Sequence, residues 1–286
     1  MDVGVVGAGR VGTAVAVLLA RAGHRIVGVS GAGPATAERA TKWLPEVPVL
    51  PPGEVARRSE LLLLVAPDDR LAEVVTDVAA DVPQGAWVAH LAGSMGLEVL
   101  RPVLDAGGRR LAVHPLQTFP DVEGALERLS GCAVAITADD QEGFTLGESI
   151  ARDLGARPFR LADEFRPLYH AAAVFASNYL VAVAAAAERL LSLAAVEDPL
   201  TALLPLQRAT LANVERLGVG DALTGPAVRG DAGTIAANLQ AIAAEAPDLA
   251  PAYVAMCRVA LDLATRSGRL DAAGRTAVEE ALAPWS

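Results

Sequence analysis

The first half of the chain alternates short apolar runs with amphipathic ones. Residues 2–6, 25–30, 61–66, 87–91, 111–113, 132–137 and 158–161 read as strands. The 61–66 run, LLLLVA, is apolar throughout and lies between Glu60 and Pro67. That pattern predicts a strand buried on both faces of a parallel sheet. Between the strands, residues 11–22, 34–42, 71–80, 97–105 and 141–154 place apolar side chains at helical spacing. Strands alternating with helices predict an α/β fold, a Rossmann-type doubly wound parallel sheet.

After residue 161 the alternation stops. Helices are expected over 163–195, 200–217, 232–246, 250–267 and 271–282, with no further strand. The chain therefore divides into a dinucleotide-binding domain, 1–162, and an all-helical substrate and dimerisation domain, 163–286. No Gly/Ser linker separates them, so a rigid join is expected. Residues 167–187 carry no charge and are long enough to span a membrane. They are rich in alanine and include Tyr169, His170, Ser177 and Asn178, so a buried core helix is expected and not a span.

Composition narrows the function. The 286 residues carry a net charge of −10 with no basic cluster, so nucleic acid is not an expected partner. The two cysteines, Cys132 and Cys257, lie in apolar contexts and read as buried free thiols. Free thiols suit a reducing cytoplasm. The N-terminus runs straight into a strand and does not look like a signal peptide.

The clearest motif is GAGRVG at 7–12, a GxGxxG between the first strand and an Ala-rich helix. Gly7 permits the tight turn, Gly9 clears space for a pyrophosphate, and Gly12 lets helix and strand pack closely. The amides of Gly7, Ala8, Gly9, Arg10, Val11 and Gly12 then face the phosphates at a helix N-terminus. An NAD site usually has an acid at the end of the second strand; here the segment is Val29-Ser30-Gly31. The missing carboxylate favours NADP, with Ser30 as a donor to the 2′-phosphate and Arg10 or Arg39 as positive charge. NAD is the less favoured cofactor. Ala66 and Pro67 follow a strand at the edge where the nicotinamide ribose is expected, while Asp69 also suits a plain helix start. No metal site is expected.

With GAGRVG, the stretches HPLQTF at 114–119, YHAAAVFASNYLVA at 169–182 and LTGPAVRGD at 223–231 span nearly the whole chain. Together they resemble the 6-phosphogluconate dehydrogenase-like superfamily. Within it the sequence is most similar to an uncharacterised Rossmann-like bacterial family related to pyrroline-5-carboxylate reductase. Members of the superfamily often use a lysine on the first long helix of the second domain. Here that helix carries His170, Ser177 and Asn178, and the single lysine, Lys42, lies in the first domain. Prephenate and arogenate dehydrogenases have a similar His-Pro motif and a Gly-Ser pair one strand earlier. The matching residues are His114-Pro115 and Gly93-Ser94, although Gln117-Thr118-Phe119 departs from the small residues of those enzymes.

Five catalytic or substrate-contacting candidates follow. His114 sits at a strand end, is stiffened by Pro115, and titrates near neutrality. His170 and Asn178 are eight residues apart and share one face of a continuous helix. Ser94 assists on the strength of the Gly-Ser resemblance. Arg229, in a turn resembling the Thr-Ser-Pro-Gly segment of pyrroline-5-carboxylate reductases, is the candidate carboxylate clamp; a pair with Asp231 is its plain structural alternative. The expected protein is a cytoplasmic, homodimeric NADP(H)-dependent oxidoreductase. It would move hydride to or from an imine or carbonyl of a small carboxylate substrate. A prephenate-like or ketopantoate-like dehydrogenase and a non-catalytic NADPH sensor are the alternatives.

Overall fold

The computed structural model describes residues 1–31 and 33–285. Its sheet has seven strands: β1 Asp2–Val6, β2 Arg25–Ser30, β3 Leu61–Leu64, β4 Trp87–His90, β5 Arg109–Pro115, β6 Ala133–Ala138 and β7 Arg157–Arg160. Their spatial order is β2-β1-β3-β4-β5-β6-β7. The helices between them are α1 Arg10–Arg21, α2 Pro34–Trp43, α3 Pro52–Arg57, α4 Asp68–Ala79, α5 Arg101–Asp105, α6 Val122–Leu129 and α7 Gln141–Asp153.

The leucine run explains the layering. Leu61 and Leu63 enter one core beside Val5, Leu111 and Ile136, while Leu62 and Leu64 enter the other beside Val75, Val88 and Leu100. Period-two alternation sends neighbours to opposite faces, so a strand covered on both sides must be apolar at every position. All four leucines are buried, each contributing roughly 1.5–3 kcal/mol.

From β1 the chain crosses to β2 on one side and later to β3 on the other. The order reverses there, which opens a crevice at the carboxyl ends of β1 and β3. The pairing is parallel except between β5 and β6, which are antiparallel. This one pairing departs from the otherwise parallel sheet read from the sequence. The connection between these strands holds α6, which packs on α1 and does not carry the chain back to the starting edge.

The chain forms two compact units, Met1–Ser177 and the residues from Asn178 onward. Helix α8, Arg166–Ala176, lies with the sheet, so the division falls one short helix later than the 162/163 boundary read from the sequence. The second unit contains α9 Asn178–Leu193, α10 Pro199–Ala222, α11 Pro226–Arg229, α12 Ala232–Glu245, α13 Ala250–Arg266 and α14 Ala272–Leu282. Its core gathers Ile235, Leu239, Val254, Leu261 and Leu282. Asp231 and Asp271 cap α12 and α14 through the amides of Thr234 and Gly274.

Two expectations for the region after residue 162 are corrected. The single helix over 163–195 is interrupted at Ser177, whose φ of −125° and ψ of −69° leave the helical region. The run 167–187 is not a buried core helix either. Asp163–Leu193 is long and apolar enough to cross a membrane by length and composition, and its most apolar window has no buried residue. Leu168, Phe175, Leu180, Val181 and Val183 are exposed. A low-charge sequence records that a face avoids water without recording what covers it.

Candidate active site

The glycine loop is shaped by contacts of its own backbone. Gly7 has φ of 102°, and a Cβ there would lie 2.1 Å from the carbonyl oxygen of Val65. A Cβ on Gly12 would lie 2.3 Å from the carbonyl oxygen of Gly7. A Cβ on Gly9 would meet nothing nearer than 4.0 Å, so the space beside it is open. The Ser30 carbonyl accepts from the amides of Gly7 and Ala8 at 2.9 and 2.8 Å, tying the loop to the end of β2. Gly9 then caps α1, whose first amides are left for an anion.

A cavity of about 560 Å³ opens from this loop toward β5. Gly7, Gly9, Arg10, Val11 and Gly12 form one end; Ala66, Pro67 and Asp68 form the floor; His114 and Pro115 stand at the other end. Arg39 also lines it, and its Nε donates to the carbonyl of Ala8 at 3.0 Å. The volume and mixed lining suit a dinucleotide-sized ligand. Ala8 and Ser30 do not line the cavity. Ser30 is buried, and its carbonyl holds the glycine loop.

Beyond His114 lies a polar cluster that sequence reading only partly identifies. Nδ1 of His114 is 2.7 Å from the hydroxyl of Tyr169, with the two rings edge to face at 86°. A Cβ on Gly93 would lie 2.8 Å from both His114 Nε2 and His170 Nδ1. Glycine at 93 therefore lets both imidazoles close onto one backbone atom. Ser94 donates to Asp68 Oδ2 at 2.6 Å, which ties the Gly-Ser pair to the cavity floor.

Arg166 underlies the cluster and is completely buried. Its Nε donates to Thr137 Oγ1 at 3.0 Å, and its Nη1 donates to the carbonyls of Ala92 at 3.0 Å and Gly93 at 3.4 Å. His90 is also buried and is held by the Gly96 carbonyl at 3.2 Å. A carbonyl only accepts, so His90 carries its proton on Nε2. Burial first, then the Arg166 charge, holds His90 down to about 4. The same two causes, in the same order, hold His114 down to about 4. Both are therefore neutral at pH 7. Burial pushes the Tyr169 phenol up to about 12, so it keeps its proton.

The structure brings together His114, His170 and Ser94 in the first unit, and it adds His90, Tyr169 and Arg166. Tyr169 was quoted in a motif but given no role, and His90 was passed over. Arg166 had a usable signal: it lies three and four residues before Tyr169 and His170, on the same helix face. Asn178 and Arg229 belong to the second unit. Asn178 opens α9 and is exposed, and the break at Ser177 ends the continuous face it was expected to share with His170. Arg229 is largely exposed and lies 3.8 Å from Asp231, the plain structural alternative.

This is a Rossmann-like nucleotide-binding architecture followed by a helical unit, and the comparisons agree. Residues 1–115 match the model of a Rossmann-like domain, and residues 132–260 match a domain of unknown function, DUF2520. No curated protein matches the sequence. Among solved structures, a Bacteroides fragilis protein classed as an NADP oxidoreductase is 26% identical, with a TM-score of 0.76 over 91% of this chain and 98% of its own. An imine reductase from Pseudomonas sp. is 20% identical, with a TM-score of 0.65 over 98% of this chain and 99% of its own. A Plasmodium falciparum pyrroline carboxylate reductase with NADP bound is 12% identical, with a TM-score of 0.58 over 92% of this chain and 98% of its own. The last two likenesses are of fold.

Proposed function

We propose that this protein is an NADP(H)-dependent oxidoreductase acting on a carbonyl or imine carbon of a small carboxylate substrate. One observation carries the reading: a single cavity runs from the glycine loop to His114. The residues present fit a dinucleotide. Two loop glycines are required by the protein's own backbone, while the space beside Gly9 is left clear for a ligand. Gly7, Gly9 and Gly12 would hold the pyrophosphate, and Ala66 and Pro67 would flank the nicotinamide ribose. When bound, the nucleotide supplies or accepts a hydride. His114 orients the reacting group and shields it from water, and Asp68 fixes Ser94 beside it.

Two observations support NADP over NAD. No acid stands at the end of β2, and Arg39 lies along the cavity as a positive charge. The fold is shared with a protein classed as an NADP oxidoreductase and with a reductase that holds NADP.

The reading includes a homodimer in the cytoplasm. Leu180, Val181 and Val183 of α9 are exposed apolar side chains, and a second chain would offer the same side chains in return.

The test is the loss of NADPH absorbance across a panel of 2-oxo and cyclic imino acids. Oxidation is expected with at least one of them, falling about 100-fold or more in His114→Ala. Tight NADPH binding without oxidation by any of them, unchanged in His114→Ala, would replace the enzyme by a sensor.

A further inference from the structure

The two ring nitrogens of His114 lie toward consecutive residues of one helix. Tyr169 holds Nδ1, and His170 faces Nε2 across Gly93. Arg166 lies on the same face of α8, and its charge acts on both His114 and Tyr169. The other groups acting on His114 are His170 and Asp68.

The Tyr169–His114 hydrogen bond has two possible polarities. A phenol is the better donor and an imidazole nitrogen the better acceptor, since their reference pKa values are about 10 and 6.5. Among the described residues, the Tyr169 hydroxyl has no other hydrogen-bond partner. If Nδ1 carried the proton, the phenolic proton would be left without an acceptor in a half-buried site. A neutral imidazole whose Nδ1 accepts must carry its proton on Nε2. His170 Nδ1, buried and unpartnered, converges on the same Gly93 position as His114 Nε2. The two nitrogens are therefore no farther apart than twice 2.8 Å.

We propose that Tyr169 is a positioning residue that fixes His114 with its proton on Nε2, so that His114 presents a donor to the cavity. The inference rests on reading that cavity as the reaction site, and it narrows the substrate class. A donor takes a carbonyl oxygen or the lone pair of a neutral imine. It does not take the N–H of an imine that arrives already protonated.

The experiment is ¹⁵N NMR of the histidine rings in the full chain without nucleotide, at pH 7. The chain has only four histidines, so single substitutions assign every ring. His114 is expected to show a bare, pyridine-type Nδ1 and a protonated, pyrrole-type Nε2. In Tyr169→Phe that preference is lost, while NADPH affinity changes less than about threefold because Tyr169 does not line the cavity. A proton on Nδ1 of the native protein, or an unchanged tautomer in Tyr169→Phe, overturns the assignment. If the Phe variant does not fold, 3-fluorotyrosine in place of all three tyrosines keeps the hydroxyl and strengthens its donation. His114 Nδ1 must then shift further upfield, and no shift overturns the proposal. With NADP present, 2-oxo acids of three to six carbons are expected to move the His114 Nε2 resonance. A cyclic iminium at equal concentration is not; movement by the iminium alone, or by neither class, overturns the substrate class. The tautomer is read without nucleotide, so its failure is distinct from a failure to bind NADPH.

Discussion

A methyl group on Gly12 would come within 2.3 Å of the Gly7 carbonyl oxygen, while one on Gly9 would meet no protein atom nearer than 4.0 Å. The two glycines therefore serve different ends. Gly12 is needed by the fold, and Gly9 is needed only by what binds beside it. Gly12→Ala is expected to destabilise the protein by about 1–3 kcal/mol, because the colliding atom is backbone and cannot swing away. Gly9→Val is expected to leave the melting temperature nearly unchanged and to weaken nucleotide binding at least tenfold. Thermal melts and calorimetry on the two variants separate these effects.

Arg39 reaches the cavity wall from α2 and donates to the Ala8 carbonyl. A second guanidinium edge remains for an anion. Arg39→Ala is expected to weaken NADPH binding by about tenfold or more and to change NADH binding little. A charge-assisted bond to a phosphate is worth about 1.5–3 kcal/mol. Titrating both nucleotides into both proteins measures the ratio.

His90 and His114 are held down to about 4 in the folded protein, mainly by burial and next by Arg166. Free histidines protonate near 6.5. Above about pH 6.5 both states are neutral at these positions and the stability is fully present. Between about 6.5 and 4 the unfolded chain gains protons that the folded chain refuses, so stability falls as the pH drops. The combined loss is on the order of a few kcal/mol. Urea titrations at pH 7.5 and 5 should show a lower midpoint at the acid pH. The variant His90→Gln should show a smaller decline.

Val181 and Val183 are 69% and 50% exposed on α9, which carries no charge before Glu188. A second copy covering them predicts a dimer in sedimentation at micromolar concentration. Val181→Glu would place an unpaired charge in that contact, and the variant is expected to sediment as a monomer. A native protein that stays monomeric in buffer and partitions into detergent would point to a lipid surface.

The sheet was legible because its constraints are local. Leu61 to Leu64 can only be a doubly covered strand, and GAGRVG before an Ala-rich helix requires a phosphate-binding turn. The helices α3 and α6 were missed because each is short, although Val122, Ala125, Leu126 and Leu129 of α6 keep helical spacing behind the Asp121 cap. His114 was found because Pro115 marks the strand end. Arg166 and Tyr169 were not assigned roles, since their meaning comes from Gly93, Thr137 and His114, which are far from them in sequence. The break at Ser177 left no proline or glycine to announce it, and so the shared face of His170 and Asn178 was drawn across a helix end.

The central claim is that the glycine loop holds a pyridine nucleotide whose reactive ring reaches toward His114. Titration calorimetry of the full chain with NADPH tests it most directly. Binding heat is expected at one site per chain, with micromolar or tighter affinity, weakened at least tenfold by Gly9→Val. No heat from NADPH, NADP, NADH or NAD at these concentrations would contradict it.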